Sequence, residues 1–179
     1  MKPKLLLHTC CATCAIYVIE QLVQKFEVTV YFYGPNIHPR QEYNQRREEI
    51  KKYTKKIGLN FQEGEYDTAL WFKKTKGLEQ EPEKGRRCSV CFGLRLSSTA
   101  QKAQAEGYDA FASTLSISPH KDNKMISLIG SHLAEVFRLT FLDKDWKKQD
   151  GFKIANQLSQ EENFYRQNYC GCVYSKRNK

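Results

Sequence analysis

Seven cysteines in 179 residues fall into three groups: Cys10-Cys11-x-x-Cys14, Cys88-x-x-Cys91 and Cys170-Gly-Cys172. A thiolate is both a metal ligand and a nucleophile, so each group marks a metal, cluster or redox site. One CxxC pair is shared by zinc sites, thioredoxin-like pairs and coincidence, whereas three groups beside turns in one short chain are far more specific. The count is odd and a reducing compartment disfavours structural disulfides, which favours metal over disulfide or inert buried cysteine. Zinc is closed by four N/S ligands and a cubane iron–sulfur cluster needs four thiolates. Either choice leaves three cysteines over. Neighbouring side chains in an extended turn diverge, so adjacent Cys10 and Cys11 suit two metal centres better than one. Asp67 or Asp145 is expected to complete a second site with an open position for substrate. Of the four histidines, His132 falls within a helical pattern and is expected to be structural. His38 and His120 sit in Pro-flanked loops and are candidates to donate protons or orient substrate.

These groups need a scaffold, and the pattern alternates strand and helix. Residues 4–8 predict a short buried strand. Ala15, Val18, Ile19, Leu22 and Phe26 recur at helical spacing. "EVTVYFYGPNIHP" is a β-branched, aromatic strand stopped at Gly34-Pro35. "QEYNQRREEIKKYTKKIG" carries Tyr43, Ile50, Tyr53 and Ile57 on one helical face and closes on Gly58. Residues 59–63 predict a third strand, residues 88–106 a helix ended by Gly107, and "YDAFAST" a fourth strand. "NKMISLIGSHLAEVF" predicts a helix despite Gly130, and "RLTFL" a fifth strand. Ser159 and Glu162 have capping-box spacing and predict a last helix running toward Tyr169.

Such alternation predicts a single α/β domain over residues 1–179, an open, mostly parallel sheet with helices on both faces. Ligands in these folds bind beyond the carboxyl ends of the strands. That rule gathers the unusual residues on one edge: the first cysteine group, Gly34 to Pro39, Tyr66-Asp67, Ser116 to His120 with Asp122, and Asp143 to Lys148.

The chain carries 29 lysines and arginines against 20 acidic residues, a net charge of +9. An excess of this sign favours polyanions, nucleic acid first and an anionic membrane second. The basic residues are spread over helices, loops and the tail (Lys176, Arg177, Lys179), which suits a broad electropositive face. No apolar run approaches the roughly 18 residues of a membrane helix. The basic start followed by three leucines breaks at His8, too early for an export segment, so a cytoplasmic protein is expected.

Taken together, "LLHTCCATC", "YFYGPNIHPRQEYNQR", "EPEKGRRCSVCFGLRLSSTA", "TLSISPHK", "FLDKDWKKQDG" and "YRQNYCGCVYS" resemble the cobalamin-independent epoxyqueuosine reductases, the QueH family. The resemblance runs in order along nearly the whole chain. It implies a fold similar to the PP-loop and adenine nucleotide alpha hydrolase-like proteins, with cysteines where those relatives carry a phosphate loop. It implies reduction of the epoxide of epoxyqueuosine, at the wobble position of a tRNA anticodon, to the alkene of queuosine. It further implies a [4Fe-4S] cluster, a probable additional mononuclear iron and an external low-potential electron donor. Cys88, Cys91, Cys170 and Cys172 are expected to contribute most to the cluster, with a thiolate from the first group possible. Cys10 or Cys11, with Cys14 nearby and Asp67 or Asp145, would hold the extra iron. Opening the epoxide takes two electrons and two protons, for which His38, His120 and Tyr33 are candidate acids. Arg86, Arg87, Lys144, Lys147 and Lys148 are candidates for tRNA phosphates, with Trp146 available to stack. A PP-loop tRNA sulfur-transfer enzyme is the nearest rival, though the phosphate loop it needs is absent. A zinc-bound RNA-binding module is another.

Overall fold

Strand β1 (Lys4–Thr9) forms because Leu5, Leu6 and Leu7 are wanted on both faces of a sheet, and all three are fully buried. Side chains alternate along a strand. Leu5 and Leu7 therefore join one core with Val28 and Val30, while Leu6 joins a second with Tyr31 and Phe111. Each such leucine contributes about 1.5–3 kcal/mol by leaving water. The computed structural model describes residues 1–176; Arg177 and Lys179, counted above in the basic tail, lie outside the described residues.

The chain continues through α1 (Ala12–Leu22), β2 (Glu27–Phe32), α2 (Arg40–Lys56), β3 (Asn60–Glu63), α3 (Thr68–Thr75), α4 (Arg86–Ala105), β4 (Ala110–Ser113), α5 (Asn123–Phe137), β5 (Thr140–Phe141) and α6 (Gly151–Glu161). All strand pairs are parallel, in the order β3-β2-β1-β4-β5. The first core carries residues of α1, α2 and α6, and the second those of α4 and α5. Helices thus cover both faces of a doubly wound sheet, as expected. Neighbours β1 and β4 form the switch point, where crossovers leave toward opposite faces and a crevice opens.

Gly130 is explained by packing, since a Cβ there would overlap the Phe141 ring of β5. Two expectations are corrected. Helix α3 was not foreseen. The helix expected from Ser159 toward Tyr169 is instead α6, which starts earlier, at Gly151, and ends at Glu161. Phe152, Ala155 and Leu158 face α1 along it, and Ser159 is buried in its final turn. Asn163, at φ +54°, breaks the chain away. The next segment is pinned to α2: Tyr165 N donates to Glu49 Oε1 at 2.6 Å and Tyr165 Oη to Glu42 Oε2 at 2.9 Å.

Candidate metal centre

All seven thiols line a single cavity of about 480 Å³ at the carboxyl end of the sheet. Two groups use the same device. Cys11 is the N-cap of α1 and Cys14 sits in its first turn; Cys88 is in the first turn of α4 and Cys91 follows one turn on. Residues three apart share a helix face, so each CxxC turns both sulfurs the same way. Helix N-termini also favour negative charge there.

The third group has no helix and is fastened from outside. His38 N donates to Gly171 O at 2.8 Å, while Arg46 donates to Cys170 O at 3.3 Å and Tyr169 O at 3.1 Å. Arg46 is itself fixed by Glu42 at 2.7 Å, one turn earlier on α2. Gly171 holds φ +103°, and a Cβ there would come within 2.9 Å of Ile37, so this position takes only glycine without strain. On the far wall Trp71 of α3, fully buried, packs against Cys91 and Cys172.

The thiols perturb one another. A bond from Cys11 holds Cys14 below the usual thiol range, and a bond from Cys172 does the same more strongly for Cys170. Burial pushes Cys88 and Cys91 up. Five basic side chains line the cavity with the sulfurs: Arg46, Arg87 and Arg95, which are buried, Lys121, which is half-buried, and Arg166, which is exposed. Burial opposes the charges of Arg46, Arg95 and Lys121, but the neighbouring sulfurs, with Glu42 beside Arg46, outweigh it and raise all three. His8, fully buried beneath Arg95, is driven well down by burial and then by the Arg95 charge, so it is neutral.

Among the described residues, no three His, Cys, Asp or Glu side chains already converge on one metal-binding point. The donor set nevertheless fits a thiolate-held cluster. It offers more than four sulfurs from three segments on one wall, with buried positive charge to offset the negative charge that thiolates bring. Three buried cations around seven thiols are poorly suited to a neutral apolar ligand.

The two expected carboxylate ligands are engaged in local hydrogen bonds. Asp67 caps α3, accepting from Leu70 N at 2.8 Å, and Asp145 accepts from Lys147 N at 3.2 Å. Neither lines the cavity; Glu83 is the one carboxylate on the wall among the described residues. Of the expected acids, only His120 reaches the cavity. Tyr33 is buried away from it against Tyr31, its hydroxyl pushed up to about 12 by burial first and Tyr31 second. His38 is packed between Trp71 and Phe72.

The basic candidates divide as well. Arg86, Lys144 and Lys148 are exposed, and Lys147 lies 3.6 Å from Asp145. Arg87 is buried and spends one nitrogen on the carbonyls of Leu78, Glu79 and Glu81, so it braces a loop instead of meeting phosphate. Trp146 is 2% exposed and donates to Ser113 O at 3.1 Å, which closes its face to a base. Arg46, Arg95 and Lys121 were not foreseen. Arg46 falls on the apolar stripe of Tyr43 and Ile50, and Arg95 continues the face of Cys88 and Cys91; a charge on a buried stripe is the signal that could have found both. Lys121 directly follows His120 but carries no periodic signal.

Fold and site define a doubly wound α/β protein whose switch point is walled by thiols where dinucleotide-binding doubly wound folds place a glycine-rich turn. The same architecture occurs in the U34-tRNA thiolase NcsA from Methanococcus maripaludis with its [4Fe-4S] cluster, at TM-score 0.63 and 12% identity. That alignment covers 98% of this chain and 61% of the thiolase. A family model for epoxyqueuosine reductase QueH matches residues 5–178. Relatives of that name include those of Streptococcus pyogenes serotype M1, 41% identical over 98% of this chain and 71% of the relative, and Haemophilus influenzae, 44% identical over 97% and 72%. That of Thermotoga maritima is 36% identical over 95% of this chain and 88% of its own length. The chain belongs to the epoxyqueuosine reductase QueH family.

Proposed function

We propose that the protein is an iron–sulfur epoxyqueuosine reductase that removes the epoxide oxygen of epoxyqueuosine in a tRNA anticodon, the last step of queuosine formation. The observation that carries this reading is the meeting of three distant cysteine groups in one cavity. Two electrons and two protons are consumed, and the oxygen leaves as water. A [4Fe-4S] cluster, when bound, supplies one-electron transfer from an external low-potential donor.

The chain's own residues hold, shape and protonate. Cys88, Cys91, Cys170 and Cys172 supply four thiolates from two segments for the cluster. Cys10, Cys11 and Cys14 remain for an additional iron, with Glu83 the carboxylate on the cavity wall. His120, on the exposed lip, and Lys121 beside it present exchangeable protons where the base would enter. No helix among the described residues is long and apolar enough to cross a membrane. The cytoplasm, where thiols stay reduced, is the proposed setting.

Anaerobic purification with iron and sulfide quantitation, followed by assay on tRNA bearing the epoxide, tests the reading. The expected results are iron with acid-labile sulfide, and a modified nucleoside lighter by one oxygen. Cys91→Ser is expected to lose sulfide and activity together. Zinc without sulfide would overturn the proposal and favour an RNA-binding module.

A further inference from the structure

Arg95 is a guanidinium buried to 1% exposure with no carboxylate paired to it among the described residues. Its Nε donates to His8 Nε2 at 3.2 Å, and one terminal nitrogen, Nη2, is buried without a partner. It lines the thiol cavity from α4, one turn beyond Cys91 and two beyond Cys88. Arginine does not deprotonate in proteins, so this site holds a permanent positive charge. Leaving such a charge buried and unpaired is strongly unfavourable. The groups that bear most on its charge are the sulfurs of Cys10 and Cys91, one from each of the first two groups, which become anionic only as metal ligands.

His8 lies against the guanidinium. Its Nε2 lies 3.0 Å from Tyr33 O and 3.2 Å from Arg95 Nε, and its Nδ1 lies 2.8 Å from Ser113 Oγ. Ser113 Oγ in turn accepts from Leu115 N at 3.1 Å. A neutral imidazole on the central strand, tied to β4 through Ser113, thus lies beneath the guanidinium.

We propose that Arg95 sets the reduction potential of the iron–sulfur centre, its fixed charge stabilising the reduced, more negative state. This rests on the iron–sulfur reading above. The other cations lining the cavity are less suited: Arg46 is already paired with Glu42, Arg87 is held by three loop carbonyls, Lys121 is half-buried and Arg166 is exposed.

The test is a redox titration of the anaerobic protein followed by electron paramagnetic resonance, comparing wild type, Arg95→Gln and Arg95→Lys. Arg95→Gln is expected to keep iron and sulfide at the wild-type ratio. Its one-electron reduction equilibrium is expected to fall at least tenfold, which is a shift of about 59 mV to more negative potential. Arg95→Lys, which keeps the charge, is expected to shift by less than half as much. Cluster-bearing Arg95→Gln at the wild-type potential overturns the proposal, as do equal shifts in both variants. If Arg95→Gln folds without cluster, Arg95→Lys decides. A loaded lysine variant at the wild-type potential supports a role for charge, and an equally bare one overturns it in favour of packing. Wild-type protein without acid-labile sulfide overturns the iron–sulfur reading and the inference together, whereas a loaded wild type confines any failure to Arg95.

Discussion

His38 shows how a residue that looks chemical can be committed to structure. Its Nδ1 donates to Asn36 O at 2.9 Å, leaving Nε2 buried without a partner against Trp71 and Phe72, whose rings lie 5.4 and 4.8 Å away. Burial lowers its pKa, with the Asn36 bond pulling the other way. The unfolded chain therefore takes up the proton first as pH falls. Stability held above the ordinary histidine value of about 6.5 is lost as pH drops through the folded value. The urea midpoint of the metal-free protein is expected to fall between about pH 7.5 and 5.5, and to fall less in His38→Gln. Equal pH dependence in the two would remove His38 as a titrating structural group. The cysteines were legible in the sequence because thiols in spaced groups have few other uses. His38 was misjudged because a Pro-flanked loop says nothing of which rings will close over it. Arg95 went unnoticed because one cation among many has no local signature until its helix face is drawn.

At the scale of elements, the strand–helix alternation was readable because each apolar period is local. Helix α3 was not, since Thr68–Thr75 is short and only Trp71 and Thr75 of it are buried. It forms because Asp67 caps it, and its Trp71 walls the cavity behind Cys91 and Cys172. The acid read as a ligand thus acts through a helix. Asn caps as well as Asp, whereas Ala removes about 1 kcal/mol of helix stability. Asp67→Ala is expected to unfold at lower urea by about that amount, with Asp67→Asn close to wild type and both retaining the full iron content. Loss of iron in Asp67→Asn, at unchanged stability, would restore the carboxylate to the metal. The C-terminal segment was misread for a related reason. A capping box is a local pattern, and the partners that hold residues 163–172, Glu42, Arg46 and Glu49 of α2, are more than a hundred positions away in the chain.

Across the molecule, a charge of +9 must be sorted into what is spent inside and what is offered outside. Arg46, Arg87 and Arg95 are buried and engaged with carbonyls, Glu42, thiols or His8, so they contribute nothing to a polyanion's counterions. Arg86, Lys144, Lys148 and Arg166 are exposed at or near the carboxyl edge where the cavity opens. Lys144 also covers Trp146, its Nζ 4.6 Å from the ring centroid, so the ammonium, and not the indole, is what this edge offers a phosphate. Four such contacts imply a slope of roughly −3 in log affinity against log salt. A fourfold rise in salt would then weaken tRNA binding by roughly 60-fold. Lys148→Gln is expected to reduce that slope by about 1. Arg87→Gln should leave it unchanged, because that guanidinium is already shared among three carbonyls. Filter binding across a salt series reads both. A flat salt response would mean the basic edge does not carry the tRNA. A slope lowered as much by Arg87→Gln as by Lys148→Gln would mean that the loop Arg87 braces, and not the exposed lysine, meets the phosphates.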